Sequence, residues 1–511
     1  MKNTVKKSLS AVLAVLMLLS CFVFSASAED AIDVSGYQVE RQSCTVYGDA
    51  KTQRGFSWFT PDDCESVAQV VKVSDYLVSG FDNAITFEAT SKSFQGYYNH
   101  KAVATGLKKG TTYYYRLGSA EYDVWGETGS FFTDNGDGKF TFIALTDVQA
   151  SNNENFYEAS LVMNAAMETY PNAELVVNMG DFVNDCTNEE WQYYSNNFSK
   201  YNNKLTLAPA AGNHEGNITN KLNVGWFDTT FNLQGASGLL NGTNGTFYSF
   251  DYGNAHFCVL NTNDMYPMTE AQRNWIINDL TSSDAHWKIL LTHRAPYSAG
   301  KNINKPDTVL LREVIIDIVD QTDVDLVLSG HDHMYMRTKQ VKGDAVCEDT
   351  KFVTEVYNGV ETTFAVNPDG TIYALPSTAG TKRYGVNSDA MDPIFDCADV
   401  YTTTRSEKDE EGNETNPNAG GCFAGITIDG TKLIYNAYVL SDIDEENPDK
   451  EQVITEIDSY AIKKTQKGED LEDTHLPTDP LGTIDQTIAN FIIAIPNLLI
   501  TYIKMLLGGI L

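Results

Sequence analysis

The stretch Glu174-Leu-Val-Val-Asn-Met-Gly-Asp181 is the most informative about the fold. Its apolar centre predicts a buried strand, and the Gly180-Asp181 pair places a carboxylate directly after that strand. A second apolar run, Phe140-Thr-Phe-Ile-Ala-Leu145, is followed in the same way by Asp147. Because polar sites in layered sheets gather at the carboxyl ends of strands, the two aspartates are expected to meet.

Three further strings of polar residues repeat this arrangement. Thr292-His293-Arg294 follows the apolar run Trp287–Leu291, and Gly330-His331-Asp332-His333 follows Asp325–Ser329. The third is Gly212-Asn213-His214-Glu215. Only eight histidines occur in the chain, and four of them lie in these strings, which scattered core histidines would not explain.

Helical patterns separate these apolar runs, over Glu154–Tyr170, Thr269–Leu280 and Thr308–Val319. Buried strands that alternate with helices predict a layered α/β domain, which we place at residues 138–445. Residues 31–135 lack a helical pattern and instead carry short β-rich runs between Gly-containing turns. They predict a β-sandwich, and His100–Arg116 resembles a strand pair of fibronectin type III-like domains.

Both ends of the chain contain apolar segments that suggest export or contact with a membrane. Residues 1–28 read as a signal peptide that ends at Ala26-Ser-Ala28, which predicts a secreted or cell-surface protein. Leu18-Leu-Ser-Cys21 loosely resembles a lipoprotein cleavage box, but the apolar run continues past Cys21. At the other end, residues 464–482 form a polar linker, and the apolar tail 487–511 is a candidate for membrane insertion, a membrane-surface helix or a packed helix.

The net charge and the cysteine content limit which ligands and which disulfides are expected. The formal net charge of −33 argues against a nucleic-acid surface, because no broad basic face is available to neutralise phosphates. An anionic substrate would need locally bound cations. Export permits disulfides, for which Cys44 with Cys64, and two of Cys347, Cys397 and Cys422, are candidate pairs.

The polar strings contain the ligand types that two divalent cations need to hydrolyse a phosphate ester. Asp181 suits a bridging position, Asn213 offers an amide oxygen, and His293 offers a ring nitrogen. His331, His333 and Asp147 complete the set. Mixed nitrogen and oxygen ligands suit Fe, Zn or Mn.

The order Asp-x, Gly-Asp, Gly-Asn-His-Glu, His, Gly-His-x-His resembles the calcineurin-like metallophosphoesterase superfamily, and the preceding β-rich segment is similar to the purple acid phosphatase branch. The resemblance implies one metal at Asp147, Asp181 and His333. It implies a second metal at Asp181, Asn213, His293 and His331. It also implies that His214 donates a proton to the leaving alcohol or steadies the developing charge, after attack by a metal-bridging hydroxide.

Two departures from the family pattern stand out. Asn184 replaces the tyrosine that colours purple acid phosphatases, which predicts a colourless protein in which Asn184 either binds metal or orients His214. Gln149 replaces a family histidine, which predicts a weaker first metal site. Arg294 could hold a substrate phosphate or support its loop. Lys382 with Arg383 could face the pocket, although a surface position is expected.

The sequence therefore predicts an exported, acid phosphatase-like hydrolase that acts on small phosphate monoesters. A phosphodiesterase or nucleotidase with the same centre is the alternative among enzymes. A cell-surface binding protein is the alternative outside enzymes. Substrate choice depends on pocket loops that these patterns do not resolve.

Overall fold

The structure, a computed structural model, describes residues 37–216, 221–239, 242–386, 395–399, 419–441 and 452–465. The predicted signal peptide, most of the predicted linker and the apolar tail 487–511 lie outside these residues. Among the described residues, no helix is long and apolar enough to cross a membrane.

The helices of the described residues are α1 (Val73–Ser79), α2 (Asn153–Thr169), α3 (Asn188–Asn202), α4 (Lys221–Thr230), α5 (Glu270–Ser282) and α6 (Pro306–Thr322). The first strands are β1 (Glu40–Thr45), β2 (Arg54–Thr60), β3 (Val67–Lys72), β4 (Ile85–Glu88), β5 (Thr90–Phe94), β6 (Tyr97–Ala104), β7 (Thr112–Ser119), β8 (Val124–Trp125), β9 (Gly129–Phe132), β10 (Lys139–Leu145), β11 (Leu175–Asn178), β12 (Thr206–Pro209) and β13 (Tyr248–Tyr252). The remaining strands are β14 (Ala255–Leu260), β15 (Trp287–Arg294), β16 (Leu326–Gly330), β17 (Tyr335–Thr338), β18 (Val341–Lys342), β19 (Ala345–Val346), β20 (Lys351–Tyr357), β21 (Val360–Val366), β22 (Ile372–Pro376), β23 (Phe395–Asp399), β24 (Ala419–Asp429), β25 (Lys432–Ser441) and β26 (Val453–Lys463).

The N-terminal strands form a β-sandwich, as predicted. One layer contains β1, β2, β6 and β5, and the other contains β4, β3, β7, β8 and β9. Their facing side chains share one apolar core, in which Phe56 and Trp58 from the first layer meet Tyr113 and Tyr115 from the second. The short helix α1 is the exception to the predicted absence of helices, and none of its residues is buried.

The rest of the chain forms a four-layered α/β structure around two large sheets. The first sheet runs in the order β20-β21-β26-β25-β24-β10-β11-β12-β1-β2-β6-β5, and the second in the order β13-β14-β15-β16-β22-β17-β23. The two sheets pack face to face, with Phe142 of one against Phe257 of the other at 5.3 Å between ring centroids. Helices α5 and α6 cover the outer face of the second sheet with apolar side chains such as Ile276 and Ile315.

One pairing joins the sandwich to the α/β part. Strand β1 runs parallel to β12, with Thr45 opposite Leu207, so the first sheet continues from one part into the other. The described residues up to Ile462 accordingly belong to one compact unit. A strand pairing across about 160 residues leaves no local sequence pattern, and the sequence analysis did not predict it.

Helix α3 is another element that the sequence analysis missed. Its mean hydropathy is low, but Trp191, Tyr194 and Phe198 recur at helical spacing and are buried. Thr187 and Glu190 form a capping box at its start. That Thr-x-x-Glu signal was readable in the sequence and would have indicated the helix.

The predicted disulfide between Cys44 and Cys64 does not form. Both thiols are free, and Cys44 is fully buried in the sandwich core, whereas Cys64 contacts the hydroxyl of Tyr37. Cys347 and Cys422 are also free. The side chain of Cys397 lies outside the described residues.

Candidate metal centre

The centre begins where β10 and β11 end side by side. These strands are parallel, and their pairing continues into the loops, where Asp147 donates its backbone N–H to Gly180 O at 2.9 Å. Gln149 donates to Asp181 O at 2.8 Å. The two aspartates are thus placed next to each other by the backbone itself.

Left-handed backbone conformations turn the site residues toward a common point. The φ angles of Asp147, Asp181 and His331 are 54°, 54° and 74°. Non-glycine residues rarely adopt these angles, which are costly unless the surrounding structure enforces them, and they concentrate at functional sites. Three such residues at three strand ends indicate a site that is held under strain.

Two glycines of the polar strings lie where neighbouring loops come too close for any side chain. A Cβ at Gly180 would lie 2.4 Å from the backbone nitrogen of Gly212, and Gly180 has a φ of +98°. A Cβ at Gly330 would lie 2.6 Å from Asp147 Oδ2. The glycines of the Gly-Asp and Gly-His strings therefore allow the ligand-bearing loops to touch.

The predicted ligands converge into two groups. Asp147, Asp181 and His333 form one group, and Asp181, His293 and His331 form the other. In each group the candidate ligand atoms lie within 4.8 Å of one another, and Asp181 belongs to both. Asn213 joins the second group, because its Oδ1 lies 3.0 Å from His293 Nε2. The structure thus brings together all six residues that the sequence singled out.

Two of the imidazoles are oriented by backbone carbonyls. Nδ1 of His293 donates to Met179 O at 2.8 Å, and Nδ1 of His333 donates to Lys382 O at 2.6 Å. This leaves Nε2 unprotonated in the neutral ring, and Nε2 faces the carboxylates at 3.2 Å in both cases. Carbonyl-oriented histidines of this kind are typical of metal sites.

His331 is held differently. Its backbone N–H donates to Asp147 Oδ2 at 2.9 Å, and its Nε2 lies 3.3 Å from Nη1 of Arg294. Arg294 is itself tied to Asp307 at 2.8 Å and to Asn263 at 3.1 Å. These contacts of Arg294 support its loop, as one of the two predicted roles of this residue requires.

The donor set fits bound cations. Asp147 and Asp181 are 0% and 1% exposed, yet among the described residues neither pairs with a lysine or arginine. Buried carboxylates without a cationic partner are costly. Burial would raise the pKa of Asp181, but the neighbouring His293 outweighs burial and lowers it. Burial would lower the pKa of His293, but Asp181 outweighs burial and raises it to about 9. The carboxylates therefore draw positive charge into the site.

Glu215 is the residue of the Gly-Asn-His-Glu string to which the sequence analysis gave no role. It is completely buried and accepts backbone N–H groups from both ligand-bearing loops. Asp181 N and Gly212 N donate to Oε2 at 2.9 and 3.0 Å, and Phe182 N donates to Oε1 at 2.9 Å. One carboxylate thus joins the Asp181 loop to the loop that carries Asn213.

We predict that Glu215→Gln weakens this connection. The amide NH₂ cannot accept a backbone N–H, so at least one buried donor loses its partner, at a cost of about 1–3 kcal/mol. Metal affinity should fall by about 10- to 100-fold, as for other residues that orient ligands. Thermal unfolding and metal titration of the full chain would measure both. Unchanged metal affinity would contradict the positioning role.

His214 lies beside the ligand groups without belonging to either. Its Nδ1 donates to Asn184 O, and its Nε2 lies 3.8 Å from Asp181 Oδ2 and 2.5 Å from the side-chain nitrogen of Gln149. The side chain of Asn184 turns toward Asp185 at 3.0 Å. The contact of Asn184 with His214 therefore comes from its backbone, and Gln149 contacts His214 rather than the ligands.

Tyr384 is a second residue that the sequence analysis missed. Its ring stacks on the His333 ring at 4.5 Å between centroids. Burial, with the charges of Asp147 and Asp181, raises the pKa of Tyr384 to about 12. Lys382 is exposed, as expected for a surface residue, but it lies next to the centre. A basic pair and a tyrosine shortly after β22 were the only sequence signal.

His256 is a structural residue. Its ring nitrogens contact Asp251 at 2.8 Å and Asp279 at 3.0 Å. Burial would lower the pKa of His256, but the two carboxylates outweigh it and raise the pKa to about 9. Both nitrogens are therefore occupied within the protein, and His256 is not part of the metal centre.

Comparison with known protein families agrees with the resemblance seen in the sequence. The profile of the family described as "Calcineurin-like phosphoesterase" matches residues 140–335, and that of "Purple acid Phosphatase, N-terminal domain" matches residues 39–133. The chain therefore contains a calcineurin-like phosphoesterase domain. The residues that form its β-sandwich match the N-terminal domain of purple acid phosphatases.

Individual relatives are distant. Purple acid phosphatase 15 of Arabidopsis thaliana is 23% identical over 60% of this chain and 57% of its own length. Purple acid phosphatase 1 of Ipomoea batatas is 24% identical over 61% of this chain and 67% of its own length. The chain thus spans little more than half the length of the first of these relatives.

Solved structures share the fold. A purple acid phosphatase from yellow lupin (Lupinus luteus) seeds superposes with a TM-score of 0.63 at 16% identity, covering 84% of this chain and 75% of that one. The structure of PhoD superposes with a TM-score of 0.57 at 14% identity, covering 86% of this chain and 92% of that one. Both agree with a β-rich N-terminal domain followed by the phosphoesterase domain.

Proposed function

We propose that the protein is an exported two-metal phosphoesterase that hydrolyses small phosphate monoesters. The observation that carries the proposal is the convergence of the two ligand groups on Asp181, with Nε2 of His293 and Nε2 of His333 facing carboxylates. Support for export comes from the composition of residues 1–28.

Asp147, Asp181 and His333 would hold one cation, and Asp181, Asn213, His293 and His331 would hold the other. Fe, Zn and Mn all suit this mixture of nitrogen and oxygen ligands. Two bound cations would lower the pKa of a water molecule and neutralise phosphoryl oxygens. In a chain of net charge −33, such local positive charge is what allows an anionic substrate to approach.

The protein's own residues supply orientation and a proton. His214 is one-quarter exposed and lies 3.8 Å from the shared carboxylate, so a substrate held at the centre has His214 beside it. The hydrogen bond from Nδ1 to Asn184 O fixes the ring, and Nε2 is then the nitrogen directed toward the substrate. A proton on Nε2 can pass to the leaving alkoxide.

The test is hydrolysis of p-nitrophenyl phosphate and of bis-p-nitrophenyl phosphate, assayed side by side with the full chain. The protein is first stripped with a chelator and then restored with Fe, Zn or Mn. We expect turnover that requires metal and favours the monoester.

The outcomes separate the candidate functions. Metal-dependent turnover that favours the diester would support the phosphodiesterase alternative. Binding of two cations without turnover of either substrate would support a binding protein. Failure to bind any of the three metals would overturn the proposal.

A further inference from the structure

We infer that Lys301, Lys382 and Tyr384 form an anion subsite next to the metal centre that holds a second phosphate group of the substrate. The inference rests on the proposed function and adds to it a substrate class, namely phosphate monoesters that carry a further phosphate. It depends on how two loops are attached to the ligand string Gly330-His331-Asp332-His333.

The first loop, residues 298–302, is attached through Asp332. This aspartate lies between the two histidines of the ligand string and is 1% exposed. Its two carboxylate oxygens accept hydrogen bonds from Ser298 Oγ and from Asn302 Nδ2. Lys301 is therefore carried on a loop that is fastened at both sides to the metal-binding string.

The second loop is attached through His333 itself. Lys382 O accepts the Nδ1–H of His333 at 2.6 Å, and Tyr384 N donates to His333 O at 3.0 Å. The Tyr384 ring then stacks on the His333 imidazole. Lys382 and Tyr384 are thus positioned by a candidate metal ligand.

The two loops meet at Tyr384. Lys301 Nζ lies 3.3 Å from the centre of the tyrosine ring, and Lys382 Nζ lies 5.7 Å from it. Because His333 already occupies one face of the ring at 4.5 Å, the Lys301 ammonium must lie on the other face. Tyr384 therefore lies between His333 and the Lys301 ammonium, and its ring helps to hold Lys301 in place.

The lysines form a local excess of positive charge. Burial, followed by repulsion from Lys305 and Lys382, lowers the pKa of Lys301. None of these three lysines forms an ion pair within the described part of the chain, although another exposed lysine, Lys139, pairs with Asp429. Asp332 offsets part of the charge, but its oxygens are committed to Ser298 and Asn302.

In a chain with a net charge of −33, a cluster of unpaired lysines is a local exception, and a bound anion would offset the repulsion between them. Two ammonium groups close to one aromatic ring suit a compact ligand that carries more than one negative charge. A phosphate fits this description, since its oxygens accept charge-assisted hydrogen bonds from lysine. With one phosphate at the metal centre, the second would lie at Lys301 and Lys382.

The kinetic test uses two substrates that differ only in the second phosphate, propane-1,3-diol bisphosphate and 3-hydroxypropyl phosphate. For the metal-loaded full chain, we expect Lys301→Ala combined with Lys382→Ala to lower kcat/KM for the bisphosphate about tenfold more than for the monophosphate. The difference should shrink in 0.5 M NaCl, because salt screens exposed charges.

The matched control is Lys108→Ala combined with Lys109→Ala, which removes the same charge from an exposed turn of the β-sandwich. This control should leave both substrates unaffected. Equal losses on both substrates in the Lys301 and Lys382 variant, or equal discrimination in the two double variants, would overturn the subsite.

A binding measurement keeps the subsite testable apart from catalysis. Calorimetry should show that the metal-loaded wild type binds inorganic pyrophosphate more tightly than inorganic phosphate, and that the Lys301 and Lys382 variant loses most of this difference. Absence of turnover with intact pyrophosphate preference would overturn the proposed function alone. Turnover of p-nitrophenyl phosphate without any pyrophosphate preference would overturn the subsite alone.

Discussion

Asp181→Asn is expected to abolish binding of at least one cation and to lower turnover of p-nitrophenyl phosphate by at least about 10³-fold, equivalent to ~4 kcal/mol of barrier. Asp181 is the one carboxylate common to both ligand groups. Replacing a carboxylate oxygen by NH₂ removes both the charge and a ligand atom from the middle of the site. Metal content by mass spectrometry and steady-state kinetics would measure the two effects.

The substitution is designed to spare the fold. Asp181 Oδ1 accepts the backbone N–H of His214 at 3.0 Å, and the amide oxygen of asparagine can keep that bond. Asp369→Asn, which makes the same chemical change at a highly exposed carboxylate, is the control and should behave like the wild type. A variant at Asp181 that keeps two cations and most of its turnover would refute the shared-ligand assignment.

His214→Asn is expected to lower turnover by about 10²-fold or more while both cations remain bound. The reason is that His214 contacts Gln149 and Asn184 but belongs to neither ligand group. Loss of a proton donor should be felt most by substrates with poor leaving groups. We therefore expect a larger loss with an alkyl phosphate than with p-nitrophenyl phosphate, whose leaving group departs readily without a proton.

The comparison of these two substrates separates the possible roles of His214. Equal losses on both would mean that His214 steadies charge and does not donate a proton. A loss of metal from the variant would mean that the His214 side chain holds the loop after Asp181, through the bond from Nδ1 to Asn184 O. Wild-type turnover with both substrates would remove His214 from the mechanism.

Local sequence patterns were sufficient for the strands that lead into the candidate ligands Asp147 and Asp181, and for the inventory of ligand types. Phe140–Leu145 was predicted as a strand and is contained in β10, and Glu154–Tyr170 was predicted as a helix and corresponds to α2. His293 was expected just after a strand but lies within the end of β15. Patterns of this kind depend on neighbours a few residues away, so they can be read without the tertiary structure.

The positioning residues were not predictable in the same way. Glu215 acts by accepting backbone amides from Asp181, Phe182 and Val183, about 30 residues earlier in the chain. Such bonds depend on backbone atoms that every residue possesses, so the sequence carries no mark of them. The free Cys44 shows the same limit, since its burial in the sandwich core decides its state rather than its spacing from Cys64.

By itself, the sequence determined the fold class and the chemical identity of the candidate centre: carboxylates, an amide and imidazoles, each placed at or beside the end of an apolar run. Only the tertiary structure decided how those groups are held and what surrounds them. The bonds of Asp332 to residues 298–302 and of His333 to Lys382 join segments that are distant along the chain. Because these contacts form only when the sheets pack, the positions of Lys301, Lys382 and Tyr384 beside the centre were decided only in the folded protein.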